Sequence, residues 1–208
     1  MGVASAASCR TSTGGTCRAS SQHFGGCSVR NGISSTRNTG FDQFIRHYDR
    51  YYRGRAEAEE AGFLGQPTLR SAISCAALAR FEDGTKFQHQ WHLKNSDLCK
   101  AKHALLAAEQ KIAHSSTFDE LYRVVWVAVQ HIWKNPELYC YDTAVRIGAK
   151  LGLKPEKIYL HRGTRIGARK LGLQAKGATL DVSDLPRGLR GQKASRLEDM
   201  LCIYKNEF

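Results

Sequence analysis

The sequence predicts an all-α protein: a compact multi-helix domain over residues 41–208, preceded by a disordered Ser/Gly/Arg-rich tail over residues 1–40. Three observations carry that prediction. Apolar residues from Phe41 onward recur at helical spacing. Helix-start residues (Thr, Ser, Pro) and helix-stop glycines bracket those segments. The first 40 residues have neither feature; they hold four arginines (Arg10, Arg18, Arg30, Arg37) and no acid before Asp42. That composition fits a basic arm that touches nucleic acid, an acid-poor transit peptide, or a reading frame whose start lies downstream.

The elements follow in order. Phe41, Phe44, Ile45, Tyr48, Tyr51 and Tyr52 make one aromatic face of a first helix. Pro67 and Thr68 open a second helix, Leu69 to Phe81, which stops before the Asp83-Gly84 turn. Residues 86–94 alternate Phe87, His89, Trp91 and Leu93 with polar partners, the pattern of a short extended piece or of a helix start. Ser96 caps a long Ala/Leu/Lys helix that reaches about His114. Thr117-Phe118-Asp119-Glu120 is a capping box, and Leu121 to Trp133 is apolar on nearly every side, which places that helix in the middle of the core. Lys134-Asn135-Pro136-Glu137 ends it, and another helix runs from Leu138 to Leu151.

Composition narrows the function. The 208 residues include 31 Lys plus Arg against 19 Asp plus Glu, a net charge of +12 that favours a polyanionic partner. The most apolar stretch is interrupted by Arg123, Gln130 and His131, too short and too polar to span a bilayer. Seven cysteines contain no C-x-x-C pair, and no H-x-E or H-E-x-x-H pattern accompanies them. No metal site or other cofactor is therefore expected. Cys75, Cys99 and Cys140 read as small buried hydrophobes of a reducing, cytoplasmic compartment.

Basic charge concentrates between Arg146 and Lys176. Arg146, Lys150, Lys154, Lys157, Arg162, Arg165, Arg169, Lys170 and Lys176 stand there against one acid, Glu156. Single-signed charge of this kind marks a phosphate-binding surface more than a solvated helix face. The turn His161-Arg162-Gly163-Thr164-Arg165 has a hydroxyl, a glycine and helix-start amides suited to a phosphate. The same region contains an internal echo, Arg146-Ile-Gly-Ala-Lys-Leu-Gly-Leu153 and Arg165-Ile-Gly-Ala-Arg-Lys-Leu-Gly-Leu173, with Gly152 and Gly172 at helix C-cap positions.

Asp142 opens the helix that leads into this region, and its surroundings carry a resemblance. Tyr141-Asp142-Thr143-Ala-Val145-Arg146 followed by Leu151-Gly-Leu153 resembles the D-T-x-V-x-R…L-G-L stretch of helix-hairpin-helix DNA glycosylases. The longer block, through Tyr159-Leu-His-Arg-Gly-Thr-Arg-Ile-Gly-Ala-Arg-Lys-Leu-Gly172, is similar to phage-defence glycosylases that excise glucosylated hydroxymethylcytosine. The likeness covers about a dozen residues closely. It departs from the family upstream of the Asp, where Trp133-Lys-Asn-Pro136 lacks the hairpin glycines; the nearest glycine turn, Leu160–Arg165, follows the Asp.

The resemblance implies a helix-hairpin-helix-like fold and a monofunctional glycosylase, with no iron–sulfur cluster, since Cys202 stands alone, and no matching lyase lysine. It implies double-stranded DNA, and modified phage DNA in particular, as substrate; neither a membrane nor an obligate protein partner is expected. Asp142 is then the catalytic carboxylate. Base flipping requires a pocket, for which Gln66, Phe87, Gln90, Trp91, Tyr139 and Tyr141 are candidates. Arg146, one turn after Asp142, is placed to pair with it. The alternative is a non-catalytic DNA-binding protein or regulator that uses the basic helices of residues 138–176, in which Asp142 is a helix-start acid.

Overall fold

A computed structural model describes residues 40–81, 83–87 and 90–208, so the expected tail lies outside the described residues except for Gly40, which begins the first helix. The chain is mostly helical: α1 (Gly40–Tyr51), α2 (Arg53–Leu64), α3 (Leu69–Ala77), α4 (Asn95–Ala107), α5 (Glu109–Ala113), α6 (Phe118–Val129), α7 (Glu137–Leu151), α8 (Arg162–Lys170) and α9 (Ala194–Ile203). One antiparallel pair of two-residue strands, β1 (Ile158–Tyr159) and β2 (Thr179–Leu180), joins Ile158 to Leu180 and Tyr159 to Thr179. Among the described residues no helix is long and apolar enough to cross a membrane.

The apolar side chains gather in two clusters. One is built from α2 to α7 and includes Phe63, Ile73, Phe87, Leu105, Leu121, Val125 and Ile147. The other joins α1 to the C-terminal elements through Phe44, Tyr48, Ile158, Leu160, Leu185, Leu197 and Tyr204. The aromatic face expected for the first helix is thus the strip that ties α1 to α9, with the Phe44 and Tyr204 ring centroids 5.0 Å apart.

The central helix is α7, and the sequence reading placed that role one helix too early. α7 packs against α2, α3 and α6 and buries Tyr139, Cys140, Tyr141, Thr143, Ala144, Arg146, Ile147, Gly148 and Ala149. α6 instead buries a single stripe, Phe118, Leu121, Val125 and Val129, and leaves Val127 62% exposed. An i, i+3, i+7, i+11 stripe suffices to seat a helix, and other apolar residues of α6 such as Tyr122 and Trp126 are half-buried at the edge.

Local signals explain most boundaries. Thr68 caps α3, its Oγ1 accepting from the Ser71 N–H at 3.0 Å while Ser71 Oγ accepts from the Thr68 N–H at 3.1 Å. α3 ends at Ala77, earlier than the sequence suggested, because Ala79 takes a left-handed φ of 52° and Arg80 pairs with Lys86. Thr117 caps α6 through the Glu120 N–H at 3.2 Å, but Glu120 reaches back to the Ser116 N–H, so the reciprocal arm sits one residue out. α4 begins at Asn95 without a side-chain cap, and a break at Ala108 separates α5 from it. The internal echo has a plain structural meaning. Both copies end a helix on a left-handed glycine, Gly152 at φ 74° and Gly172 at φ 78°. The following leucine amides, Leu153 and Leu173, bond back to Gly148 and Ala168.

Candidate active-site cavity

Asp142 lies in the second turn of α7, on the side facing α1, α2 and α9. There it lines a cavity of about 370 Å³ with Tyr48, Glu57, Glu59, Phe63, Tyr141, Arg146, Lys154, Arg196, Glu198 and Asp199. Six carboxylates (Glu57, Glu59, Glu60, Asp142, Glu198, Asp199) and five cations (Arg53, Arg146, Lys154, Lys193, Arg196) line it, so its walls are near charge balance although the chain is strongly basic. Near-balance with many donors and acceptors suits an uncharged, hydrogen-bonding ligand better than a phosphate.

A buried relay holds Asp142. Gln90 Nε2 donates to Asp142 Oδ2 at 2.9 Å, and Arg146 Nη1 donates to Gln90 Oε1 at 2.7 Å. Arg146 Nε donates to Glu59 Oε1 at 2.7 Å, and its guanidinium carbon lies 3.7 Å from the Phe87 ring centroid. The expected Arg146–Asp142 pair is therefore replaced: Gln90 stands between the two, and Glu59 on α2 takes the charge. With its side chain 2% exposed, Arg146 is fixed by Gln90, Glu59 and Phe87 and reaches no DNA backbone.

Most of the base-pocket candidates serve other ends. Tyr141 lines the cavity, and its hydroxyl is buried without a hydrogen-bond partner. Burial, followed by nearby Glu198, Asp199 and Asp142, pushes that hydroxyl well above the ordinary tyrosine range. Gln90 orients Asp142 but is not itself part of the cavity wall. Phe87 is a core ring, tilted on Phe81 at 4.2 Å and stacked with Phe63 at 6.2 Å. Tyr139 is core as well, donating to the Ala77 carbonyl at 2.7 Å. Gln66 is buried away from the cavity, where its carbonyl accepts from Lys150. Trp91 is not a pocket wall: it stands 70% exposed, next in sequence to Gln90.

The basic set divides in the same way. Lys150 binds the last carbonyls of α2, including Leu64 at 3.1 Å, a cation at a helix C-terminus. Lys154 pairs with Glu60 at 2.6 Å and Lys157 with Asp119 at 3.7 Å. Arg165 Nη1 donates to the carbonyls of Ala175 and Gly177 at 3.2 and 2.6 Å.

The His161–Arg165 turn is filled by its own capping. His161 Nδ1 accepts from the Gly163 N–H, Thr164 Oγ1 accepts from the His161 N–H, and Gly163 is crowded against Cys202. The hydroxyl and glycine expected to hold a phosphate thus seat α8 instead. Arg162, Arg169 and Lys170 remain exposed and make no ion pair among the described residues.

The site also gains residues that the sequence reading passed over. Glu198 and Asp199 of α9 line the cavity, and Tyr48 donates to Asp199 Oδ2 at 2.6 Å. Arg196 packs over the Tyr48 ring at 5.0 Å and pairs with Asp49 at 2.9 Å. The signal for Glu198 was present: it falls on the Ala194, Leu197, Glu198, Leu201 stripe, where a surface carboxylate has no place. Cys140 is buried and its thiol is pushed up to about 12, so it is an inert core group. Comparisons with protein-family models, with curated proteins and with solved structures find no match to this chain.

Proposed function

We propose that the protein is a monofunctional DNA glycosylase. It flips a modified base, glucosylated hydroxymethylcytosine in phage DNA, into the cavity of Asp142 and excises it. The observation that supports this reading most is the Asp142 carboxylate in the wall of a ligand-sized cavity, held by the buried Gln90–Arg146–Glu59 relay. A second support is architectural. α6 and α7 pack together across the short turn of residues 130–136, upstream of Asp142 as the family's hairpin is, although that turn lacks the hairpin glycines.

The chemistry needs little more than this. Breaking the C1′–N bond leaves positive charge on the sugar, and a carboxylate beside C1′ stabilises that charge and orients or deprotonates water. The relay fixes the carboxylate's rotamer before substrate arrives, so no reorganisation is needed in the transition state. Trp91, exposed beside Gln90, is the wedge that fills the stack when the base leaves it. Arg162, Arg169 and Lys170 supply contact with the phosphate backbone. In the alternative regulator, which uses the basic helices of residues 138–176, α7 is enclosed by α2, α3 and α6, so groove contact would fall to α8 with its exposed Arg162, Arg169 and Lys170.

The test incubates the protein with glucosylated hydroxymethylcytosine DNA and with unmodified DNA and scores abasic sites with an aldehyde-reactive probe. Abasic sites in the modified DNA alone are the expected result. Both DNAs bound and intact would move the binding-module reading to the front.

A further inference from the structure

Glu198 has an unusual setting. Its carboxylate lines the Asp142 cavity, yet the side chain is only 5% exposed, and Oε1 lies 2.5 Å from Nε2 of His161, itself 5% exposed. The backbone fixes how this pair is protonated. The Gly163 N–H, in the first turn of α8, donates to His161 Nδ1 at 3.1 Å, so that nitrogen is an acceptor and the ring proton of the neutral imidazole sits on Nε2. Nε2–H therefore donates to Glu198 Oε1, and the second carboxyl oxygen is left to hold a proton toward the cavity. On the same cavity, the Tyr141 hydroxyl is buried without a partner, a polar atom that awaits a ligand.

We propose that Glu198, oriented by His161, is the acid that protonates the departing base, working opposite Asp142 in the reaction proposed above, on which this inference rests. The step balances. As the C1′–N bond breaks, its electron pair leaves with the base, and the Glu198 proton passes to the base, at O2 or N3 of a cytosine. Water attacks C1′ and gives its proton to Asp142, so the products are the free base and an abasic hydroxyl. Glu198 is left ionised, accepting from His161 Nε2–H; before the next turnover Asp142 gives its proton to water and Glu198 takes one back from water. Two carboxylic groups in one cavity, Glu198 giving a proton to the base and Asp142 taking one from water, divide the acid and base roles between them.

The surroundings favour the protonated form of Glu198. Burial, then Asp199 on its own helix and Asp142 on α7, push its carboxyl well above the ordinary glutamate range. Tyr48 of α1 and Tyr141 of α7 face it as neutral hydroxyls, and α2 brings Glu57 and Glu59 to the same cavity. Arg196 is the nearby cation of α9, and it is engaged by Asp49 and the Tyr48 ring.

The experiment measures single-turnover excision from glucosylated hydroxymethylcytosine DNA across pH 5–9 for wild type, Glu198→Gln, His161→Asn and Asp142→Asn. Glu198→Gln retains an acceptor for His161 but has no acidic proton. It is expected to slow excision about 10²- to 10³-fold, the size of a lost general acid, and to remove the alkaline fall of the wild-type profile. His161→Asn is expected to shift that fall without abolishing excision. An unchanged rate and profile in Glu198→Gln, with Asp142→Asn inactive, would overturn the assignment of Glu198 and leave the glycosylase reading standing. A wild type that makes no abasic sites would overturn that reading and this proposal with it.

Discussion

Adding one methyl group at Gly167 tests the packing that brings Glu198 to the cavity. Gly167 is the buried point where α8 crosses α9, and a Cβ built there would lie 2.1 Å from the Leu201 carbonyl oxygen, 2.9 Å from its carbon and 3.1 Å from its Cα. Ordinary C···O contacts begin near 3.3 Å, so the two helices must part by about 1.2 Å at this crossing. The obstacle is backbone, which no rotamer change relieves. Overpacking of this kind costs about 3 kcal/mol, the upper part of its usual range. Better helix propensity returns about 1 kcal/mol, leaving Gly167→Ala destabilised by about 2 kcal/mol. For a domain of this size that is a fall in Tm of about 4–8 °C. Gly62→Ala on the exposed face of α2, with nothing within 4 Å of its Cβ, is the matched control and is expected to gain about 0.5–1 kcal/mol. Thermal and urea unfolding of both variants decide the matter. A Gly167→Ala protein as stable as the Gly62→Ala control would refute the close α8–α9 crossing.

Three further outcomes follow from the same geometry. Arg146→Met strips the partner from buried Gln90 and from Glu59 and is expected to cost about 3 kcal/mol in urea unfolding, much of it recovered in Arg146→Met/Glu59→Leu; a double variant no better than the single one would count against the ion pair. Glu198 carries a raised carboxyl, so its contribution to stability is whole below the ordinary value of 4.5 and declines as pH rises above it. The Tm of Glu198→Gln should therefore climb relative to wild type between pH 5 and 8, and a flat difference would show that Glu198 is ionised in the folded protein throughout. Replacing Arg162, Arg169 and Lys170 together by Ala should weaken binding to any duplex and lower the log K against log [salt] slope by up to about 2.7. An unchanged slope would place the DNA on another face.

How far the sequence alone reaches depends on how each element is stabilised. Helices with a clear local signal are legible: the aromatic stripe of α1, the Thr68 start of α3 and the Gly152 stop of α7 each mark an element in the sequence. α2 is not legible, because Arg53–Leu64 buries only Phe63 and shows no apolar period; it is held by its place against α7 and by the Glu59–Arg146 pair, which are tertiary facts. β1 and β2 are two residues each, too short for alternation to register. In the site, Asp142 could be singled out from its motif, but the partner of Arg146 could not, since Glu59 lies 87 residues away. The turn at His161 was read as a phosphate loop because hydroxyl, glycine and helix start recur in such loops. Here the same groups cap α8, and the His161 ring beside them holds Glu198.

The central claim is that Asp142 is the group that acts on the glycosidic bond, and one substitution tests it most directly. Asp142→Asn preserves shape and an acceptor for the Gln90 amide while removing the charge, so the fold and DNA binding should persist. Wild type and variant are compared for binding and for abasic-site formation on glucosylated hydroxymethylcytosine DNA, by gel shift and alkaline cleavage on the same samples. The account predicts equal or tighter binding by the variant, with abasic sites lost at least 10²-fold. A variant that binds and still excises at the wild-type rate would contradict it.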